Sequence, residues 1–259
     1  KKIKSNRLNS LEPANFTQSF PWIGGDLQTI RDSFCLNLNS SRNRDKIFFP
    51  VHKYCEDKFK GDYLLGFLEY PSSHFYFKGL IVITHGLGGS TRRFGLRRIA
   101  RRLSKDGFAV LKLNLRGAGS GRYLSNSNYS ARCSNDIISV IELIRNKLFL
   151  ESKYTKFIKG NIPVYGIGLS LGGTILLNAC LDYENRKPLL DGLACVSTPL
   201  DLLTCSSCID KPRNYFYQKW LIKRLKNQIL NSQFNFNEGS NLINKKLIKE
   251  IRTIREFDE

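Results

Sequence analysis

A chain of 259 residues is long enough to bury one full core, and a hydrophobic fraction of 41% with 12% aromatics excludes a disordered polymer. No apolar run approaches the roughly 18–20 residues that a membrane span requires. The first twenty residues have basic side chains but no apolar core, so no signal peptide is read there. The formal charge of +19 favours anionic partners: lipid head groups, acidic substrates or nucleic acid.

In chain order, residues 1–45 are polar and irregular apart from "FPWIGGDLQTIRDSF" at 20–34. "KIFFPVHK" (46–53) and "YLLGFLEY" (63–70) have strand character. "KGLIVITHG" (78–86) is a continuous β-branched run that reads as a strand buried on both faces. A basic helix follows within "STRRFGLRRIARRLSKDG" (90–107). Leu96, Ile99, Ala100 and Leu103 form its apolar stripe. Arg93, Arg97 and Arg101 recur at i, i+4 on another face, beside Arg98, Arg102 and Lys105. "FAVLKLNL" (108–115) is another buried strand and "RGAGSGR" a glycine-rich turn. A helix is expected over about 130–148, with Ile137, Ile138, Ile141 and Ile144 on one side. Strand "IPVYGIGL" (162–169), helix 170–183 and strand "GLACVST" (192–198) come next, and the remainder to 259 is mainly helical. Strands alternating with helices give a doubly wound, mainly parallel sheet.

The seven cysteines, Cys35, Cys55, Cys133, Cys180, Cys195, Cys205 and Cys208, are odd in number and scattered. That pattern fits reduced thiols and a cytoplasmic setting. Cys205-Ser-Ser-Cys208 lacks the second pair a zinc site needs, so no metal and no cofactor are expected. The arginine run reads as a solvated helix face or as a weak, peripheral contact for an anionic membrane. Nucleic acid is not expected, because no recognition motif accompanies the charge.

Gly168-Leu169-Ser170-Leu171-Gly172 is a G-x-S-x-G at a strand-to-helix junction. A serine hydroxyl is a poor nucleophile and needs a neighbouring base. In a nucleophile elbow the serine occupies a sharp turn whose flanking glycines avoid a β-carbon clash. Leu171 N–H is then one oxyanion donor. The loop "HGLGGS" (85–90), after an earlier strand, supplies Leu87 N–H as the second. Two other glycine motifs compete. Gly166, Gly168 and Gly172 imitate a dinucleotide fingerprint, but no acid is placed on the next strand. A P-loop is excluded because no G-K-[ST] follows.

"PWIGGDLQTI", "HGLGGS", "NLRGAGSG", "GIGLSLGGTILLN" and "VSTPLDLL" occur in this order. In these segments the chain resembles the YheT/Emb8-like branch of the α/β-hydrolases, from about residue 20 to the end. The resemblance implies an α/β-hydrolase fold with a helical cap, truncated before its last strands. It implies three regions: an N-terminal arm (1–45), a hydrolase core incomplete at its C-terminal side (46–200) and a helical cap segment (201–259). It implies Ser170 as nucleophile, Leu87 and Leu171 as oxyanion donors, and a small-molecule or lipid ester as substrate, acylglycerol or phospholipid in kind.

The family order is serine, acid, histidine. All three histidines, His52, His74 and His85, precede Ser170, so the triad acid and histidine are expected to be absent from this chain. His85 is the candidate substitute base, against the plainer reading that its ring holds the oxyanion loop. Asp201 is the candidate acid, against its reading as the entrance to the cap. Asp136 reads as a helix cap or surface residue. The expected function is carboxylic-ester hydrolysis through an acyl-serine, with the chain itself inactive. The alternative is a non-catalytic α/β-hydrolase-like binding module.

Overall fold

The computed structural model describes residues 15–34, 44–51, 62–71, 77–125, 127–148, 162–185, 187–230 and 245–258. His52 and His74, and the end of the expected strand 46–53, lie outside them. The chain divides into two compact units, Lys1–Asn37 and Leu38–Glu259. In the first, α1 spans Gly24–Phe34, and Asp26 places negative charge in its first turn, where the helix dipole favours it.

Among the described residues the second unit holds six strands: β1 (Arg44–Val51), β2 (Asp62–Glu69), β3 (Gly79–Thr84), β4 (Phe108–Leu113), β5 (Val164–Leu169) and β6 (Gly192–Val196). Their order across the sheet is β1-β2-β4-β3-β5-β6. The pairs β1–β2 and β2–β4 are antiparallel, and β4, β3, β5 and β6 run parallel. The helices of this unit are α2 (Phe94–Lys105), α3 (Ser134–Leu143), α4 (Leu171–Asp182), α5 (Leu202–Ile209), α6 (Tyr215–Leu230), α7 (Lys245–Glu250) and α8 (Ile254–Asp258). A π turn, Ile144–Leu148, continues α3, so the helix expected to about 148 changes pitch at its end.

The continuous apolar strands are explained by helices on both faces of the sheet. Successive strand residues point to opposite faces. Leu80 and Val82 of β3, with Leu111 and Leu113 of β4, join the core under α3 and α4, where Ile137, Val140, Ile141, Ile175 and Leu176 are buried. Ile81 and Ile83, with Val110, join the opposite core, under Leu96 and Ala100 of α2. This two-sided cover lets the central strands dispense with polar alternation.

Two ionic devices are buried in the core. Lys112 pairs with Glu69. Arg116 donates to Asp136 through both Nε, at 2.9 Å, and Nη2, and to Asp62 through Nη1. Asp136 is therefore not a surface or cap residue: its side chain is 3% exposed and anchors the glycine-rich turn after β4 to α3. Such pairs hold geometry more than they add stability, because desolvation offsets most of the attraction.

The chain runs from β3 to β4 on one side of β3, then crosses to β5 on the other. The crevice at the carboxyl ends of β3 and β5 is thus the sheet's topological switch point, where ligands of open α/β sheets bind. His85 and Gly86 leave β3 there, and Ser170 leaves β5.

Candidate active site

Ser170 occupies the sharp turn between β5 and α4 with φ 53° and ψ −129°. A non-glycine residue held there is strained, by about 1–3 kcal/mol. Two backbone bonds hold the strain in place. Ser170 N–H donates to Val196 O of β6 at 2.8 Å, and Gly173 N–H donates to Ser170 O at 2.8 Å. The side chain is left exposed at the mouth of the crevice.

The glycines of the motif are there for close approach. A β-carbon on Gly168 would lie 2.2 Å from Gly173 Cα, and one on Gly172 would lie 2.5 Å from His85 O. One on Gly173 would lie 1.9 Å from Thr198 Oγ1. Helix α4 therefore starts in direct backbone contact with the ends of β3 and β5. Thr84 Oγ1 seals this seam by donating to Gly172 O at 3.0 Å.

The loop "HGLGGS" faces Ser170. A β-carbon on Gly86 would lie 2.7 Å from Ser170 Cβ and 3.2 Å from Ser170 Oγ. Tyr129 fixes the loop: its hydroxyl accepts from Gly88 N–H at 2.7 Å and donates to Gly86 O at 3.3 Å. Burial pushes the Tyr129 phenol up to about 12, so it stays protonated for that second bond. Gly89 N–H donates to Gly86 O at 3.0 Å. These bonds engage Gly88 and Gly89, while Leu87 N–H has no acceptor among the described residues. Leu171 N–H, at the first position of α4, has no acceptor within the helix. Chemically, two such N–H groups beside an exposed hydroxyl suit an oxyanion forming on a carbonyl bound there.

His85 is 1% exposed, and both of its ring nitrogens are engaged. Nε2 accepts from Leu115 N–H at 3.2 Å, so the proton is on Nδ1, which donates to Gly86 O at 2.9 Å. Burial, reinforced by Arg93, lowers its pKa to about 4. With its ring edge-on to Tyr129 at 5.5 Å, it ties the end of β4 to the loop. This geometry leaves no lone pair for Ser170 and agrees with the plainer reading, a ring that holds the oxyanion loop, over that of a substitute base.

Asp201 is the N-cap of α5, accepting from Thr204 N–H at 2.9 Å and from Thr204 Oγ1 at 2.6 Å. Those bonds hold its carboxyl below the ordinary range. Its oxygens are turned to its own helix, which explains an aspartate there without a triad. Cys205 and Cys208 are free thiols on α5, and among the described residues no cluster of His, Cys, Asp or Glu could hold a metal ion.

Beside the loop lies a cavity of about 470 Å³ that the sequence did not foreshadow. It is lined by Gly88 and Gly89 from the loop, by Arg122 after β4, and by Trp220, Lys223 and Arg224 of α6. The guanidiniums of Arg93 and Arg224 lie 4.7 Å and 4.5 Å from the Trp220 ring centre. Arg93, expected on a helix face with Arg97 and Arg101, instead precedes α2 and is turned onto this indole. Residues more than a hundred positions apart meet here, so no local pattern could have signalled it.

The profile of the Hydrolase_4 family, described as serine aminopeptidase S33, matches residues 77–256. The chain belongs to this family. The S33 match begins just before β3 and takes in the loop, the serine turn and α6. Within the α/β-hydrolases the chain falls in the YheT-like branch. It is 26% identical over 201 residues to YheT of Escherichia coli, covering 77% of this chain and 55% of that one. It is 27% identical over 186 residues to the monoacylglycerol lipase of Saccharomyces cerevisiae, covering 70% of this chain and 39% of that one. The S33 chain described here thus spans about half the length of the curated relatives it matches. An esterase from Pyrococcus furiosus superposes with a TM-score of 0.48 at 15% identity, over 71% of this chain and 66% of that one.

Proposed function

We propose that the protein is a carboxylic-ester hydrolase that works through an acyl-enzyme on Ser170. The observation that carries this reading is the exposed Ser170 at φ 53°, pressed against the Gly86 loop. Its Oγ attacks the ester carbonyl, and the oxyanion is held by Leu87 and Leu171 N–H. The tetrahedral species collapses by breaking the bond to the alcohol, which leaves with a proton. Water then attacks the acyl-serine, releases the acid and returns the proton to Oγ. The esterase and lipase names among the relatives favour a lipid-like ester, acylglycerol or phospholipid in kind.

The described residues supply neither base nor acid: His85 is locked and Asp201 caps its helix. We therefore place both triad partners outside the described residues, and regard 201–259 as the cap segment over a core of 46–200 and an arm of 1–45. Supporting this, β6 pairs with β5 alone among the described residues and exposes Ala194, Cys195 and Val196, as a strand awaiting further cover would. The lack of a base among the described residues also favours a second reading, a binding module that keeps the fold without the reaction.

Acylation distinguishes the two. After incubation with p-nitrophenyl butyrate, peptide mass mapping is expected to find a butyryl group on the peptide carrying Ser170. No adduct there, or one that persists in Ser170→Ala, would overturn the hydrolase reading.

No helix among the described residues is long and apolar enough to cross a membrane. Peripheral contact with an anionic bilayer remains a proposal, motivated by the exposed Arg98, Arg101, Arg102 and Lys105 of α2. Vesicle sedimentation tests it. Binding to anionic but not neutral vesicles, weakened by salt, is expected; equal binding to both would reject it.

A further inference from the structure

The cavity beside the loop has an unusual charge balance. Arg122, Lys223 and Arg224 line it, and among the described residues no carboxylate does. Arg122 Nε is buried without a hydrogen-bond partner, a position that costs stability unless something fills it. Arg93 and Arg224 crowd one indole, so two like charges are held close together. Burial lowers the pKa of Arg122 and of Arg224, as expected where the positive charges lack compensation.

The cavity is coupled to Ser170 through the loop. Gly86 abuts Ser170, while a β-carbon on Gly88 would lie 3.2 Å from Arg224 Cβ. One residue, Leu87, separates these glycines, so their Cα atoms are at most about 7 Å apart along extended backbone. A group seated in the cavity is therefore within a small molecule's reach of the serine. Three cations far exceed one carboxylate and come within one charge of a phosphate dianion, which guanidinium forks grip with paired hydrogen bonds.

We propose that Arg122, Lys223 and Arg224 form a phosphate subsite beside Ser170, which takes a phosphomonoester group of the ester substrate or a free phosphate. The substrate part of this inference rests on the ester-hydrolase reading; the subsite itself does not.

Trp220 is the reporter. The chain has two tryptophans, so a Trp22→Phe background leaves Trp220 as the sole indole. Its fluorescence is followed while three probes are added: inorganic phosphate, short-chain phosphatidic acid below its micellar range, and the neutral diacylglycerol of the same chains. Saturable change with phosphatidic acid and not with diacylglycerol is expected. Arg122→Gln and Arg224→Gln should each weaken binding by about tenfold or more, and the exposed Lys223→Gln by about threefold, since bidentate charged bonds outweigh a solvated one. Lys223→Gln also guards against a folding defect in the arginine variants. A response to inorganic phosphate without one to phosphatidic acid supports the subsite and assigns it to the free ion. No saturable response to either phosphate, equal affinity in all three variants, or an equal response to diacylglycerol would overturn it. Ser170→Ala should bind as the parent does, so loss of acylation and loss of the subsite are read separately.

Discussion

Gly86 lies so close to Ser170 that a β-carbon added to it would sit 2.7 Å from Ser170 Cβ. The obstacle is the root of the serine side chain, with Leu169 O behind it at 3.1 Å, so neither can swing aside. Gly86→Ala is expected to displace the loop or the serine and to reduce butyrylation of Ser170 by at least about tenfold, since small misplacement of reacting groups is costly. The stability loss should stay within about 1–3 kcal/mol. Mass mapping and urea midpoints measure the two effects; unchanged acylation would show that the loop does not shape the site.

The seam between β5 and α4 gives a second test. A β-carbon on Gly168 would lie 2.2 Å from Gly173 Cα, a backbone atom that has no rotamer to escape into. Gly168→Ala should cost at least about 3 kcal/mol. Gly25 in α1 has nothing within 4 Å of the added carbon, so Gly25→Ala should stay within about 0.5 kcal/mol or gain helix propensity. Similar unfolding midpoints for the two variants would contradict the packing described for the elbow.

His85 sets a pH dependence. Burial lowers its folded pKa from 6.5 to about 4, so below pH 6.5 the unfolded chain binds this proton more readily. Its contribution to stability is complete above pH 6.5 and is lost as pH falls through about 4. The full loss is about 3 kcal/mol, at 1.36 kcal/mol for each unit of difference. Urea midpoints at steps from pH 7 to 5 should fall in the parent and fall less in His85→Gln. A parent midpoint independent of pH over that range would mean that the ring is not held neutral.

Arg116 holds Asp62 and Asp136 together in the core. Arg116→Leu strands two carboxylates and should cost about 3–5 kcal/mol, the usual result of removing one partner from a buried pair. Arg116→Lys should rescue little, because an ammonium cannot reproduce the two-pronged contact with Asp136. Thermal melts of both variants measure this, and a lysine variant as stable as the parent would contradict it.

Much of this architecture was legible in the sequence because the signals are local. Strands β3, β4 and β5 announce themselves as apolar runs, and "GLSLGG" between β5 and α4 marks the turn at Ser170. Leu87 follows from loop position, and its N–H is not taken up when Tyr129 engages Gly88, although its role as an oxyanion donor stays a proposal. The misread residues depend on distant partners. Asp136 reads as a polar residue near a helix start until Arg116, twenty positions earlier, is brought beside it. His85 was not misread: of its two readings, the ring that holds the loop is the one that Leu115 N–H favours by taking the second nitrogen. Arg93 belongs by periodicity to the face of α2, yet Trp220 draws it away.

The central claim is that Ser170 sits in a formed elbow with neither base nor acid beside it among the described residues, and imidazole added as an external base tests it directly. Hydrolysis of p-nitrophenyl butyrate by the 259-residue chain, corrected for the reaction of imidazole alone, should be slow, about 10⁴–10⁶ below an intact triad. It should rise with imidazole concentration in the parent and not in Ser170→Ala. Ordinary enzyme rates without imidazole that depend on Ser170 would contradict the absence of a base and return His85 to question. A rate the same in Ser170→Ala, with and without imidazole, would contradict the nucleophile itself.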